Sequence, residues 1–178
     1  MADALSRARE LFLDDANTYG CAEVTLIVLQ EQLGLPEAGD SSPAMALNGG
    51  IGYSGATCGA ITGAALAAGR LAGRRLPHHA EAKRQARALV QGLLAAFADE
   101  FGAVNCRDLT GYDFRDPGAH DDFIQSGIWR TACLHQIEFA ITEMTRLIAD
   151  AGWAPSDPQG RSSEAPPAPP APLGRPTE

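Results

Sequence analysis

The sequence lacks closely paired cysteines, a long uninterrupted apolar run and an excess of positive charge. Its 178 residues carry a formal net charge of −8, which disfavours nonspecific binding to nucleic acid or to anionic membranes. The N-terminal segment carries acidic residues and has no apolar stretch long enough for a secretory signal peptide. We therefore expect a cytoplasmic protein that binds no nucleic acid.

Residues 41–69 contain no charged side chain, so a membrane-spanning helix must be considered. Pro43, Asn48 and several glycines interrupt this stretch, and most of its side chains are small or polar. A transmembrane helix needs about 20 consecutive, mainly large apolar residues. We therefore predict a buried segment of a soluble protein and no membrane span.

Nucleotide-binding signatures are also absent. The glycines of residues 49–59 do not fit the G-x-x-x-x-G-K-[ST] pattern of a phosphate-binding loop. A dinucleotide fingerprint would need a preceding strand, and the sequence shows no convincing one. Both kinds of site are excluded.

Helical periodicity dominates the chain up to residue 153. We predict helices over residues 3–18, 21–34, 57–71, 79–101 and 121–150, with a short helix beginning at Asn105. The sequence thus predicts an all-α, single-domain bundle of about five to six helices with a glycine-rich loop, spanning residues 1–153. Residues 154–178 are rich in proline, alanine and serine, and we predict a disordered tail there.

Four isolated cysteines are the candidate functional residues: Cys21, Cys58, Cys106 and Cys133. The absence of a CxxC pair excludes a zinc ribbon, a thioredoxin-type motif and c-type haem attachment. The simplest interpretation is four buried, small apolar residues. However, the first three are each predicted to open a helix, where free amides and the helix dipole favour the thiolate and lower the thiol pKa.

Cys133 is predicted to lie within the long last helix instead. One continuous apolar stripe runs along that helix, formed by Trp129, Cys133, Ile137, Ala140, Ile141, Met144 and Ile148. Cys133 should therefore point into the core. Three thiols at helix starts and one inward thiol suggest a redox or metal site.

Glycines surround the second cysteine. Glycine adopts backbone angles closed to other residues and brings main-chain amides close to a bulky centre. We therefore predict five cofactor-binding glycines, with close helix packing as the alternative: Gly49, Gly50, Gly52, Gly55 and Gly59. From Gly63 onward the small residues are interpreted as helix packing.

Two further residues near the cysteines have no assigned role. Glu23, two residues after Cys21, caps its helix or moves protons. Trp129 is a core residue or a shield against water.

The motif Cys58-Gly59-Ala60-Ile61-Thr62-Gly63 resembles that of a family of small redox-active proteins named for four single cysteines and a C-G-A-x-x-G motif (C_GCAxxG_C_C). Cys21 within YGCAEVTL, Cys106 within CRDLTG, and Cys133 resemble the other three cysteines of that family. The resemblance implies redox chemistry through these cysteines. It also implies a redox partner that is linked with transporters.

Four hypotheses follow from the cysteines. The favoured one is an iron–sulfur cluster held by all four thiolates, since four thiols exceed what one disulfide cycle needs. A cluster-free dithiol–disulfide protein is the second, with Cys58 attacking and Cys21 or Cys133 resolving. The third is a structural zinc site closed by the four cysteines. The fourth is a helical binding protein with inert cysteines, which forms a homodimer through its small-residue helix.

Overall fold

A computed structural model describes residues 1–153, so the predicted disordered tail lies outside the described residues. The described part of the chain is helical and has no β-sheet, which confirms the all-α prediction. None of its helices is long and apolar enough to cross a membrane. The α-helices are α1 (Ala2–Phe12), α2 (Cys21–Gln32), α3 (Gly59–Arg75), α4 (His79–Phe101), α5 (Cys106–Thr110), α6 (Ala119–Ser126) and α7 (Ala132–Asp150). Two 3-10 segments lie at Ser42–Leu47 and Ile128–Arg130.

Helix α2 lies at the centre of the bundle. Its residues 22–30 are all buried, because apolar side chains occur on every side of it and a helix of that kind must be covered all round. Helices α1, α3 and α7 and the segment Ser42–Leu47 pack around it. The buried Gln30 donates hydrogen bonds to the carbonyls of Ala38 and Asp40 at 2.8 and 3.2 Å and accepts one from Arg70.

Helices α2 and α3 approach closely where α3 has a glycine. A Cβ atom on Gly63 would lie 2.3 Å from the carbonyl oxygen of Ala22, so the packing predicted for Gly63 is confirmed. Helix α4 then packs on α3 and α7. Its buried residues are Ala82, Leu89, Leu93 and Phe97.

The prediction of one long last helix over residues 121–150 is wrong. Gly127 takes a left-handed backbone with φ 68°, ends α6 and separates it from the 3-10 segment and α7. The apolar stripe did not indicate this break, because α7 begins after it with the same face of the helix buried. Consequently Cys133 lies in the first turn of α7 and not mid-helix. Helix α1 is also shorter than predicted and ends at Phe12.

Candidate functional site

All four cysteines lie at the start of an α-helix. Cys58 is the N-cap residue of α3, Cys21 and Cys106 are the first residues of α2 and α5, and Cys133 is the second residue of α7. Every one is a free thiol. Cys58, Cys106 and Cys133 are buried, whereas Cys21 is partly exposed.

An isolated antiparallel bridge between Thr57 and Asn105 joins the starts of α3 and α5. The amides of Cys58 and Cys106 flank it and donate to carbonyls of the opposite segment at 2.8 and 2.7 Å. This register makes the two cysteines diagonal neighbours, for which Cα atoms are about 7–8 Å apart. A disulfide usually needs Cα atoms within about 6.8 Å. The pair is therefore close, and its expected Cα separation lies just above that limit.

The sulfur of Cys21 lies against the start of α3. A Cβ atom on Gly59 would lie 2.3 Å from this sulfur, so the glycine after Cys58 makes the approach possible. Burial raises the pKa of Cys21, and the backbone amides of Gly49, Ala22, Cys21 and Gly59 lower it in part. Both the glycine-rich loop and the helix start thus direct amides at one sulfur.

The thiol of Cys58 faces a buried polar side chain. Its Sγ donates to Oε1 of Gln136 at 3.6 Å, and Gln136 is only 4% exposed. The sequence analysis missed this residue. The feature of the sequence that could have indicated Gln136 is a polar side chain beside the apolar stripe of α7, three residues after Cys133.

The pKa of each thiol is raised, so the predicted lowering is wrong. Burial is the main cause, and at Cys58 the charges of Cys21, Cys106 and Cys133 add to it. At Cys106, burial and then the charge of Cys21 raise the pKa to about 12. Burial, then Cys21 and Cys106, raises the pKa of Cys133 further above its ordinary value. Burial also outweighs the amides at Cys21. The thiols are thus close enough to affect one another.

A cavity of about 200 Å³ adjoins the thiols. Cys21, Cys106 and Cys133 line it. Aromatic residues surround its outer part, where the ring of Tyr53 lies edge-on to those of Phe114 and His120 at 5.5 and 5.1 Å. Trp129 also lines the cavity and is buried, so it is both a core residue and a wall of the site.

The structure gives the five predicted glycines different positions. Burial raises the pKa of Cys21, and the backbone amides of Gly49 and Gly59 oppose that rise. A Cβ atom on Gly50 would lie 2.5 Å from backbone atoms of Ala56, and one on Gly55 would lie 3.0 Å from the Cβ of Arg107. Gly52 faces open space. These last three shape the loop and do not contact the thiols, and their predicted role in binding a cofactor stays a prediction.

Within residues 1–153, no group of three or more His, Cys, Asp or Glu side chains has the arrangement to hold a metal ion. Donor chemistry gives a second test. Four cysteines are the usual ligand set of an iron–sulfur cluster, and a cluster of several atoms needs more widely spaced ligands than one ion does. Four cysteines are also a usual ligand set of structural zinc, so the donor types fit either group.

The motifs match one known protein family. A family described as "Putative redox-active protein (C_GCAxxG_C_C)" matches residues 19–147, a stretch that contains all four cysteines. The chain belongs to this family. No curated protein and no solved structure matches it significantly. The family description names redox activity and no cofactor, so the chemistry must be argued from the site.

Proposed function

We propose that this protein is a small electron carrier whose four cysteines bind an iron–sulfur cluster. One observation supports this most directly: Cys21, Cys106 and Cys133 line one cavity, and after burial their charges raise the pKa of Cys58. Cys21, Cys58, Cys106 and Cys133 would be the ligands. When bound, the cluster supplies a centre that accepts and releases single electrons.

The raised pKa values agree with a role of the four buried thiols as ligands. Thiolates buried together repel one another, so each thiol keeps its proton. Binding of a cationic centre would displace those protons. The amides of Gly49 and Gly59 at the Cys21 sulfur then offset the negative charge of a thiolate. The residues around the cavity limit contact with water, which helps to determine the reduction potential of such centres.

A dithiol–disulfide carrier is the second candidate, and one contact favours it. The Cys21 sulfur approaches Gly59, the residue directly after Cys58, so these two cysteines are neighbours. Forming a Cys21–Cys58 disulfide would release two protons and two electrons, which would reduce a disulfide of a partner protein to two thiols. The diagonal geometry of Cys58 and Cys106 disfavours that other pairing.

Purification without oxygen, followed by a visible spectrum and assays for iron, acid-labile sulfide and zinc, tests the proposal. We expect iron and sulfide in stoichiometric amounts, and their loss in each of the four Cys→Ser variants. Gly69→Ala is the control, since a Cβ there meets nothing within 4 Å and should leave the metal content unchanged.

Two other results would contradict the cluster. Stoichiometric zinc without iron would make the site structural. A colourless, metal-free protein that stays so after reconstitution with iron and sulfide would favour the dithiol mechanism. Thiol counting before and after oxidation would then show two fewer thiols for each disulfide formed.

A further inference from the structure

A buried carboxylate lies beside the cysteines. Glu23 is two residues after Cys21 and only 7% exposed. One of its oxygens accepts hydrogen bonds from the amide of Gly20 and from Nδ2 of Asn48, both at 2.9 Å. The other accepts from the hydroxyl of Ser41 at 3.0 Å. The three partners of the carboxyl group, the Gly20 amide, the Asn48 amide and the Ser41 hydroxyl, are all neutral.

This network connects Glu23 to the site. Asn48, fixed by Glu23 and by the carbonyl of Met45, turns its Oδ1 toward the start of α2. There Oδ1 accepts a hydrogen bond from the amide of Ala22 at 3.0 Å and lies 3.9 Å from the Cys21 sulfur. The side chain of Asn48 occupies the space beside Gly20, where a Cβ atom would lie 2.3 Å from it.

Glu23 also acts on the wall of the cavity. Glu23 lines the same cavity as Cys21, Cys106 and Cys133. Burial, followed by the charges of Cys21, Glu23 and Cys106, raises the pKa of the Tyr53 phenol in the wall of that cavity. A charge added to the cysteines by reduction therefore arises at the cavity that the Glu23 carboxyl group also lines.

We propose that Glu23 sets the reduction potential of the cysteine-bound centre and keeps it low. This inference rests on the proposed function. Uptake of one electron from an external donor adds one negative charge to the centre, and the Glu23 carboxylate opposes that addition. Potentials of iron–sulfur centres depend on local charge and exposure to solvent. Glu23 is a positioning residue, since it acts through its charge and through Asn48.

Glu23→Gln removes the charge and keeps the geometry. The amide oxygen can accept from Gly20 and Asn48, and the NH2 group can donate to the Ser41 hydroxyl. Glutamine also serves at this third position of a helix in a capping box. Glu31→Gln is the matched control, because Glu31 lies on the same helix but near the surface, paired with Arg7 at 3.4 Å. Ser41→Ala removes one hydrogen bond and leaves the charge.

The measurement is a mediated redox titration of the anaerobically purified holoprotein, with dithionite as the electron donor. Glu23→Gln should raise the midpoint potential by about 59 mV or more, which corresponds to a tenfold change in the electron-transfer equilibrium. Glu31→Gln and Ser41→Ala should stay near wild type. An unchanged or lower potential in Glu23→Gln, or an equal rise in Ser41→Ala, would overturn the inference.

The two proposals can fail separately. Wild-type protein without iron and visible colour would overturn the proposed function and this inference together. A coloured wild type with an unmoved potential in Glu23→Gln would overturn only the inference. Should Glu23→Gln bind no centre, Glu23→Ala is titrated and the same rise is expected. If neither binds one while Ser41→Ala does, Glu23 acts in cluster loading, and its role in setting the potential is wrong.

Discussion

Two neighbouring regions, the loop of residues 49–55 and helix α3, are both rich in glycine but use it for different physical reasons. In the loop, Gly49, Gly50, Gly52 and Gly55 take φ values between 61° and 76°, which side chains disfavour. In α3, glycine has ordinary helical angles, and what matters is the missing Cβ. Gly59 leaves room there for the Cys21 sulfur and Gly63 for the Ala22 carbonyl.

The left-handed backbone of the loop includes residues other than glycine. Ile51 and Tyr53 have φ values of 61° and 59° and are each 46% exposed. Left-handed backbone costs an L-residue about 1–2 kcal/mol. Strain of this kind persists where the surrounding structure imposes it and is common at functional sites. Here the strained loop is the one that brings the Gly49 amide to the Cys21 sulfur.

The largest effect is expected in the loop, at Gly50→Ala. The new Cβ would lie 2.5 Å from backbone atoms of Ala56 at a φ of 74°. Left-handed strain of about 1–2 kcal/mol and overpacking of about 1–3 kcal/mol should together lower the free energy of unfolding by about 2–5 kcal/mol. In Gly52→Ala the new Cβ meets open space at a φ of 61°. This variant should lose only the free energy of the left-handed strain. If urea denaturation shows the same loss of unfolding free energy for Gly50→Ala and Gly52→Ala, the steric contribution at Gly50 is contradicted.

In α3 the corresponding change is Gly63→Ala. Its Cβ would lie 2.3 Å from the Ala22 carbonyl oxygen, so α2 and α3 must move apart. We expect a net loss of about 1–2 kcal/mol in the free energy of unfolding, after the better helix propensity of alanine is counted. Gly69→Ala in the same helix has open space and should gain about 0.5–1 kcal/mol. A gain in both variants would disprove the close approach.

Sequence patterns predicted the helices better than their interruptions. The bounds of α4, His79–Phe101, match the prediction, because Pro77 precedes the helix and Gly102 ends it in a left-handed conformation. The break at Gly127 was missed because the helical face of α7 continues the same stripe. Periodicity reports which side is buried, and it does not report whether the helix is continuous.

The site was predictable in its cysteines and less so in their surroundings. Residue type and motif identified the four thiols, and all four proved to lie at helix starts. The sign of the pKa shifts was wrong because burial of four thiols together depends on tertiary convergence, which spacing along the chain does not contain. Asn48 and Gln136 were missed for a similar reason, since an amide side chain gains its role only from what packs beside it.

The buried thiols should make the stability of the metal-free, reduced protein depend on pH. Burial and the charge of Cys21 raise the pKa of Cys106 to about 12, whereas an unfolded thiol has a pKa of about 8.5. As pH rises above the unfolded value, the unfolded chain releases this proton first. The free energy of unfolding should then fall, by up to about 1.4 kcal/mol per pH unit for this thiol.

Urea denaturation of wild type and Cys106→Ser at several pH values between neutral and alkaline tests this expectation. The serine variant lacks the titrating group, so its stability should fall less steeply with pH. At pH values below the pKa of the unfolded thiol, the stabilities of wild type and Cys106→Ser should change with pH at the same slope. Parallel pH profiles for the two proteins would mean that Cys106 keeps an ordinary pKa in the folded state.

The smallest expected effect is a gain, at Ile51→Gly. Glycine relieves left-handed strain of about 1–2 kcal/mol, but it increases the entropy of the unfolded chain by about 0.5–1 kcal/mol. Because Ile51 is 46% exposed, little buried area is lost, and a net stabilisation of about 0.5–1 kcal/mol is expected in urea denaturation. Met45→Gly is the control, since Met45 is 62% exposed and is not among the residues with positive φ; it should destabilise by about 0.5–1 kcal/mol. Similar losses in both variants would show that the loop is not strained at Ile51, and the difference between loop and helix would then lie in the glycines alone.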